Sequence, residues 1–575
     1  MWAHKKKLFL IFFLIFALSG CNIRFDQTTP TSVANSVPAQ PILTETAVIT
    51  ESSPTIAVIP DNSPEYHWWN DTVFYELFVR SFYDSNSDGI GDFQGLIQKL
   101  DYLNDGDPST DHDLGVTGIW LMPIFESTSY HGYDVTDYYS IDPDYGTMDD
   151  FKEFLEAAHD RNIRVIIDFV INHTSVEHPW FKESRAEKNS LYRNWYIWSE
   201  TDPGYLGPWG EDVWHFNFDK SYYYGVFWSG MPDLNFQNPD VTEEINKISS
   251  YWLSEIGVDG FRVDGARHLI EDGKIQANTD ATITWFQSFN KRNKETNPQT
   301  MTLGEVWDSN FSAVRYIKEG AFDLVFDFEL SESLLEGING NDGKQITNAL
   351  NFNTKLFPYL QKANFLTNHD MNRVIDVFQN DLQKAKIGAV ILLTSPGVPF
   401  IYYGEEIGMK GSKPDEDIRK PMQWDTSEYG GFSTFLPWRS LNSNFELMNV
   451  EIEGNDPESL LNLYKQLIHI RKESDALATG EFQSIKTNEQ NIVTYVRKSG
   501  DQIIFVIVNV GQTVENLEMT LPKDLLTVGK YEFFSMLDSS QFPGFEISSA
   551  DKDFLYQYDS QIPAGKYFLI ELIKR

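Results

Sequence analysis

GFRVDGARH, Gly260–His268, opens as a short apolar run and ends in charged and polar side chains. A run of this kind reads as a buried strand. Within such a strand Arg262 and Asp264, two residues apart, point to the same face. Three other stretches are built the same way: DFVINH (Asp168–His173), GEVWD (Gly304–Asp308) and FLTNHD (Phe365–Asp370). Polar clusters at the C-terminal ends of several buried strands read as one site at the mouth of a barrel.

Outward from these segments, apolar strand-like runs alternate with amphipathic helical runs. Val73–Val79, Gly118–Met122, Val165–Phe169, Gly260–Val263, Met301–Gly304, Leu324–Phe328, Asn364–Leu366 and Val398–Tyr402 read as strands in order. Helices are expected at Gly95–Leu103, Asp149–Arg161 and Leu460–Arg471. Eight strands with intervening helices predict an α/β fold, a (β/α)8 TIM barrel. Residues 174–231, dense in Trp, Tyr, Gly and Pro, form a long irregular excursion after the third strand, which reads as a functional insertion. Beyond the last helix, alternating runs such as NIVTYVRK and QIIFVIVNV predict a C-terminal antiparallel β-sandwich. The expected division is a barrel over 67–173 and 232–475, an insertion over 174–231 and a sandwich over 476–575.

Asp264, Glu305 and Asp370 bring three carboxylates from three strand ends, which is what glycoside chemistry requires. One carboxylate attacks the anomeric carbon and a second carboxyl protonates the leaving oxygen. The guanidinium of Arg262 suits Asp264 to an ionised state, and the apolar neighbours Val306 and Trp307 suit Glu305 to a protonated one. At these four segments the chain resembles the α-amylase superfamily of retaining α-glucoside hydrolases, glycoside hydrolase family 13. The resemblance implies Asp264 as nucleophile, Glu305 as acid/base and Asp370 as the third carboxylate, which holds sugar hydroxyls. It implies His173 and His369 as hydrogen-bonding partners of the sugar, and Tyr133 and His131, in YHGYD, as an aromatic platform and its neighbour. Arg267-His268 matches the pair that amylases use toward the reducing end, with Arg where Lys is usual. The excursion matches the B domain that walls the cleft of amylases. MPDLN (Met231–Asn235) resembles an intermediary bacterial group that includes lipoprotein α-amylases.

Asp84-Ser85-Asn86-Ser87-Asp88-Gly89-Ile90-Gly91-Asp92 presents hard oxygens at every second position. Such spacing suits Ca²⁺, although Gly95 stands where an EF-hand would have its Glu. A solvated cluster of Asx turns is the other reading. The resemblance implies a calcium loop with ligands Asp84, Asn86, Asp88, Asp92 and the Ile90 carbonyl.

Charge and the N-terminus bound the setting. A net charge of -38 repels polyanions, so nucleic acid and anionic lipid surfaces are not expected partners, whereas a neutral glucan is. Lys5–Lys7 followed by apolar Leu8–Leu18 reads as a signal peptide over residues 1–20. Leu18-Ser19-Gly20-Cys21 resembles a bacterial lipobox, in which Cys21 is lipidated; a plain secretory peptide or an uncleaved anchor are the alternatives. Residues 21–66, rich in Thr, Ser and Pro, read as a disordered tether. The protein is therefore expected outside a bacterial cell as a monomer, anchored to the cell or outer membrane only through Cys21. Cys21 is the single cysteine, which leaves no partner for a disulfide within the chain.

Tyr130 stands where exo-acting relatives carry an acidic chain-end clamp, which favours an open cleft and an endo-acting α-amylase on starch and maltooligosaccharides. A neopullulanase or oligo-1,6-glucosidase with mixed α-1,4/α-1,6 specificity is the alternative. A non-catalytic, membrane-tethered barrel is a remoter one, and it is at odds with the three carboxylates.

Overall fold

The computed structural model describes residues 66–575 except 539, 550 and 551. The signal peptide, Cys21 and nearly all of the tether lie outside the described residues.

Eight parallel strands close into a barrel in chain order: β1 Phe74–Leu77, β2 Gly118–Leu121, β3 Arg164–Phe169, β4 Gly260–Val263, β5 Met301–Gly304, β6 Leu324–Phe326, β7 Lys362–Asn364 and β8 Val398–Tyr402. β1 closes the ring by pairing with both β2 and β8. Phe74 stacks on Phe400 across that seam with centroids 4.5 Å apart. Trp120, Phe326 and Phe400 meet edge-on or tilted in the same interior cluster. The interior is thus a packed core, and only its C-terminal mouth is open to chemistry.

Strand ends depart from the sequence expectation where side chains recruit the backbone for something else. β1 stops at Leu77 because Val79–Ser81 winds into a helical turn. β6 stops at Phe326 because Asp327 accepts from the Leu330 amide and caps the helix Phe328–Gly340. β7 lies two residues earlier than the apolar pattern predicts. Its first residue, Lys362, is tolerated because its Nζ sits 3.3 Å from Asp327 Oδ2, a partner invisible in the local sequence. The chain therefore leaves the sheet before Phe365 and runs irregularly to Asp370.

The excursion after β3 is more ordered than its composition predicts. It contains the helix Pro179–Ala186 and a small antiparallel sheet of Trp198–Ser199, Trp214–Phe216 and Tyr222–Tyr224. Beyond Glu481 two antiparallel sheets, of six and three strands, pack face to face around Phe505, Leu517, Met519 and Leu569's neighbour Ile570. Among the described residues no helix is long and apolar enough to cross a membrane.

Two buried arginines, Arg471 on the last barrel helix and Arg497 on a sandwich strand, line the junction of sandwich and barrel. Arg471 donates to the carbonyls of Leu393, Ser395, Gly397 and Ala478, while Arg497 donates to those of Thr394 and Gly480. These bonds satisfy the backbone just before β8, where the chain turns back into the sheet. Arg471→Met keeps the volume but orphans those carbonyls. It should cost on the order of 3 kcal/mol, read as a fall in denaturant midpoint, whereas an unchanged midpoint would show that water replaces the guanidinium.

Candidate active site

Asp264 follows β4 directly, Glu305 follows β5 and Asp370 lies six residues beyond β7, so all three reach the C-terminal mouth. Arg262, fully buried on β4, organises the first two. Its Nη1 donates to Asp264 Oδ1 at 2.8 Å and to both oxygens of Asp168 at 2.8 and 2.9 Å. Its Nη2 lies 3.0 Å from Glu305 Oε2. The guanidinium rests 5.1 Å above the Trp120 ring, which supports it from within the barrel. Glu305 also accepts from the Gly265 amide at 2.8 Å. Gly265 adopts φ +51, and a Cβ there would meet the Phe227 ring at 2.8 Å, so glycine is needed on both counts.

One buried cation faces three carboxyls, and it opposes the cost of burial for each of them. Burial pushes Asp168 up to about 7, against the pull of Arg262. Burial also raises Glu305 and Asp264 above the usual carboxylate range, with Arg262 opposing in both cases. Asp370 differs: although burial works against its charge, His369 and then Arg419 hold it well below that range. Arg419 Nη2 donates to Asp370 Oδ1 at 2.8 Å. Burial opposes charge on His369 too, but Asp370 and Glu76 outweigh it and hold its pKa at about 9. The Glu76 carboxylate of β1 accepts from His369 Nδ1, and His369 Nε2 lies 2.6 Å from the Tyr133 hydroxyl.

The residues expected to face sugar gather around one cleft of about 820 Å³. His131, Tyr133, His173, Asp264, Arg267, His268, Glu305 and Asp370 all line it. His173 Nε2 donates to the Tyr133 carbonyl at 3.0 Å, and burial takes its pKa down to about 4, so the ring is neutral. His369 stacks on Tyr133 behind the wall instead of lining the cleft. Arg262 is likewise behind the carboxylates. Arg267 and His268 are present but engaged: Arg267 donates to His268 Nε2 and to Asp308, and His268 Nδ1 donates to the Gln276 carbonyl. Tyr130 stacks on Trp438, with centroids 5.2 Å apart, and is not among the residues that line the cleft.

Sequence reasoning did not single out Glu76, Asp168 as a partner of Arg262, or Arg419. The Asp168 signal lay within DFVINH; the other two carry no local signal. Glu76 and His369 are 293 positions apart.

The loop Asp84–Asp92 forms a closed turn. Asp84 accepts from the amides of Asn86, Ser87 and Gly89, and Asp92 from Ser85 and the Gly95 amide, which it caps. Asp88 accepts from Ile90, and Asn86 Oδ1 from Asp88. The donor set is all oxygen and fits a hard cation in kind, but the loop also closes with its own amides. Orphaned buried atoms occur elsewhere: Asn172 Oδ1 and Glu271 Oε1 lack partners. Asn172 donates to Asp233, and burial followed by Glu271 raises Asp233 strongly. Among the described residues no group of three or more His, Cys, Asp or Glu side chains is gathered to hold a metal.

Comparison with known proteins follows the same lines. The family description "Alpha amylase, catalytic domain" matches residues 76–480. The chain is 42% identical to alpha-amylase 3 of Dictyoglomus thermophilum over 455 residues, covering 78% of this chain and 86% of that protein. It is 33% identical to an oligo-1,6-glucosidase of Bacillus cereus over 538 residues, covering 80% and 94%. Among solved structures it is similar to an alpha-amylase from H. orenii, with TM-score 0.77 and 42% identity over 88% of this chain and 99% of that one. It is also similar to a trehalose-6-phosphate hydrolase of Bacillus licheniformis, with TM-score 0.73 and 29% identity over 88% and 100%.

The His369–Glu76 contact has a signed consequence for stability. A histidine whose folded pKa is about 9 contributes stability that is complete below its unfolded value, near 6.5, and is lost as pH rises through 9. The thermal midpoint should fall across that window in wild type and fall less in Glu76→Gln. Parallel declines in the two proteins would assign the loss to another group.

Proposed function

The chain belongs to the α-amylase catalytic-domain family of glycoside hydrolases, and from that premise we propose that it is a retaining, endo-acting α-amylase. Its substrates on this reading are the α-1,4-glucosidic bonds of starch and maltooligosaccharides. The observation that carries the proposal is the sharing of Arg262 between Asp264 and Glu305 at the foot of the cleft. Glu305 enters the first step protonated and gives its proton to the glycosidic oxygen. Asp264, kept ionised by its direct bond to Arg262, attacks the anomeric carbon and forms a covalent glycosyl-enzyme. Glu305, now a base, takes a proton from water, and that water releases the sugar with its α-configuration retained. Asp370, with its low pKa, accepts hydrogen bonds from sugar hydroxyls throughout, and Tyr133 carries the sugar face.

Endo-action is supported by Tyr130, which offers no carboxylate to clamp a chain end, and by the name of the Dictyoglomus relative. A mixed α-1,4/α-1,6 specificity is the second reading, favoured by the oligo-1,6-glucosidase relatives. Starch iodine colour should fall quickly while few reducing ends appear, and early products should be mixed α-maltooligosaccharides. Glucose alone from the first minutes, or preference for isomaltose, would favour the second reading. Asp264→Asn should lower turnover by about four orders of magnitude or more in a folded protein; ordinary activity there would remove Asp264 as nucleophile.

Calcium is proposed as a structural ion. Asp84, Asn86, Asp88, Asp92 and the Ile90 carbonyl are the loop ligands, and Asn172 with Asp233 and Glu271 form a second oxygen set whose orphaned atoms a hard cation would satisfy. Ligand that binds only the folded state raises Tm. EDTA should therefore lower Tm and added Ca²⁺ restore it, with metal found by elemental analysis. An unchanged transition and no bound metal would refute the ion at both places. A lipid anchor at Cys21, outside the bacterial cell, is proposed on the sequence alone.

A further inference from the structure

The insertion carries a tryptophan that core packing does not explain. Trp209 sits at the tip of a hairpin in which Leu206 bridges Asp212, the Gly207 amide donates to the Glu211 carbonyl at 2.7 Å, and the Gly210 amide donates to the Gly207 carbonyl. Gly210 takes φ +89 to make the tip, with open space where a Cβ would stand. The large tryptophans of the core, Trp69, Trp120 and Trp252, are at most 2% exposed, whereas Trp209 is 57% exposed. Trp228 and Trp307 also line this cleft partly exposed, so the indole of Trp209 is part of an aromatic wall that presents flat apolar faces to a ligand.

Trp209 is also held in place. Its ring stacks on Phe227 with centroids 5.8 Å apart and planes at 30°, and it meets His268 at 5.4 Å. Phe227 abuts Gly265, whose amide holds Glu305, and its ring also meets His173. Trp209 lines the same cleft as Asp264 and Glu305. These contacts place it on the side of Glu305, Gly265 and His268. Tyr133, His369, Asp370 and Arg419 form a separate cluster around the third carboxylate.

A glycosidic oxygen protonated by Glu305 belongs to the departing sugar, so the departing chain extends on the Glu305 side. We propose that Trp209 is the stacking platform for glucosyl units on the reducing-end side of the scissile bond. The hairpin Leu206–Asp212 then sets how firmly leaving-group sugars are held. This rests on the hydrolase reading above. The polar atoms of Arg267 and His268 are engaged with each other, Asp308 and Gln276, which leaves the apolar indole face as the readier contact for a sugar's C–H surface.

The test compares two substrates in the full enzyme. Maltohexaose extends past the broken bond; α-maltosyl fluoride carries only fluoride there. In Trp209→Ala the ratio of kcat/KM for maltohexaose to that for α-maltosyl fluoride should fall about tenfold, chiefly through KM for maltohexaose. Trp209→Phe, which keeps an aromatic face, should recover most of the ratio. A ratio within twofold of wild type in Trp209→Ala overturns the proposal, whether both substrates are affected equally, as for a hairpin that merely props the site, or neither is. Failure of the wild-type enzyme to cleave maltohexaose would instead refute the parent reading.

Discussion

A single guanidinium, shut inside the barrel, governs the rest of this site. Arg262 has no exposed surface, and an unpaired buried cation would be prohibitively costly. Its counter-charges come from three elements: Asp168 on β3, Asp264 after β4 and Glu305 after β5. The strands must keep their register to bring these together, so barrel closure and the geometry of chemistry are one constraint. Trp120 beneath the guanidinium fills the space that a smaller residue would leave to water.

The protonation pattern follows from counting charge. On the Arg262 side burial lifts three carboxyls that share one opposing cation. Around Asp370 the balance is reversed. Protonated His369 and Arg419 face Asp370 and Glu76, so Asp370 stays ionised. Carboxyls of the same chemical kind thereby acquire different work, by the cations placed beside them.

The fold separates precision from adaptability. Asp264, Glu305 and the Arg262 contacts sit at strand ends, whose positions the closed sheet dictates. The aromatic surface that would meet the remainder of a long substrate sits in the insertion, on a glycine-tipped hairpin that can vary without disturbing the barrel. The sandwich contributes at a distance: its Arg497, beside Arg471 of the last barrel helix, satisfies a carbonyl at the approach to β8.

Local pattern determined a great deal. Apolar runs with polar ends sufficed for eight strands in order and for the positions of Asp264, Glu305 and Asp370, because strand-end placement is a local property of the chain. The caps at Asp92 and Asp327 also obey short-range rules, each accepting from an amide three positions on. The acidic loop Asp84–Asp92 carries two readings in sequence, a calcium loop and a cluster of Asx turns, and its oxygens accept from amides two to five positions away. Other features needed the folded chain. β7 begins at Lys362, since Asp327, 35 positions away, neutralises it. The charge on His369 depends on Glu76 of β1, 293 positions away in the chain. The exposure of Trp209 beside Phe227 depends on the path of an insertion with no clear periodicity. Short-range sterics and hydrophobic alternation are written along the sequence, whereas the pairing of distant charges is decided only when closure of the barrel brings its first and seventh strands within reach of one another.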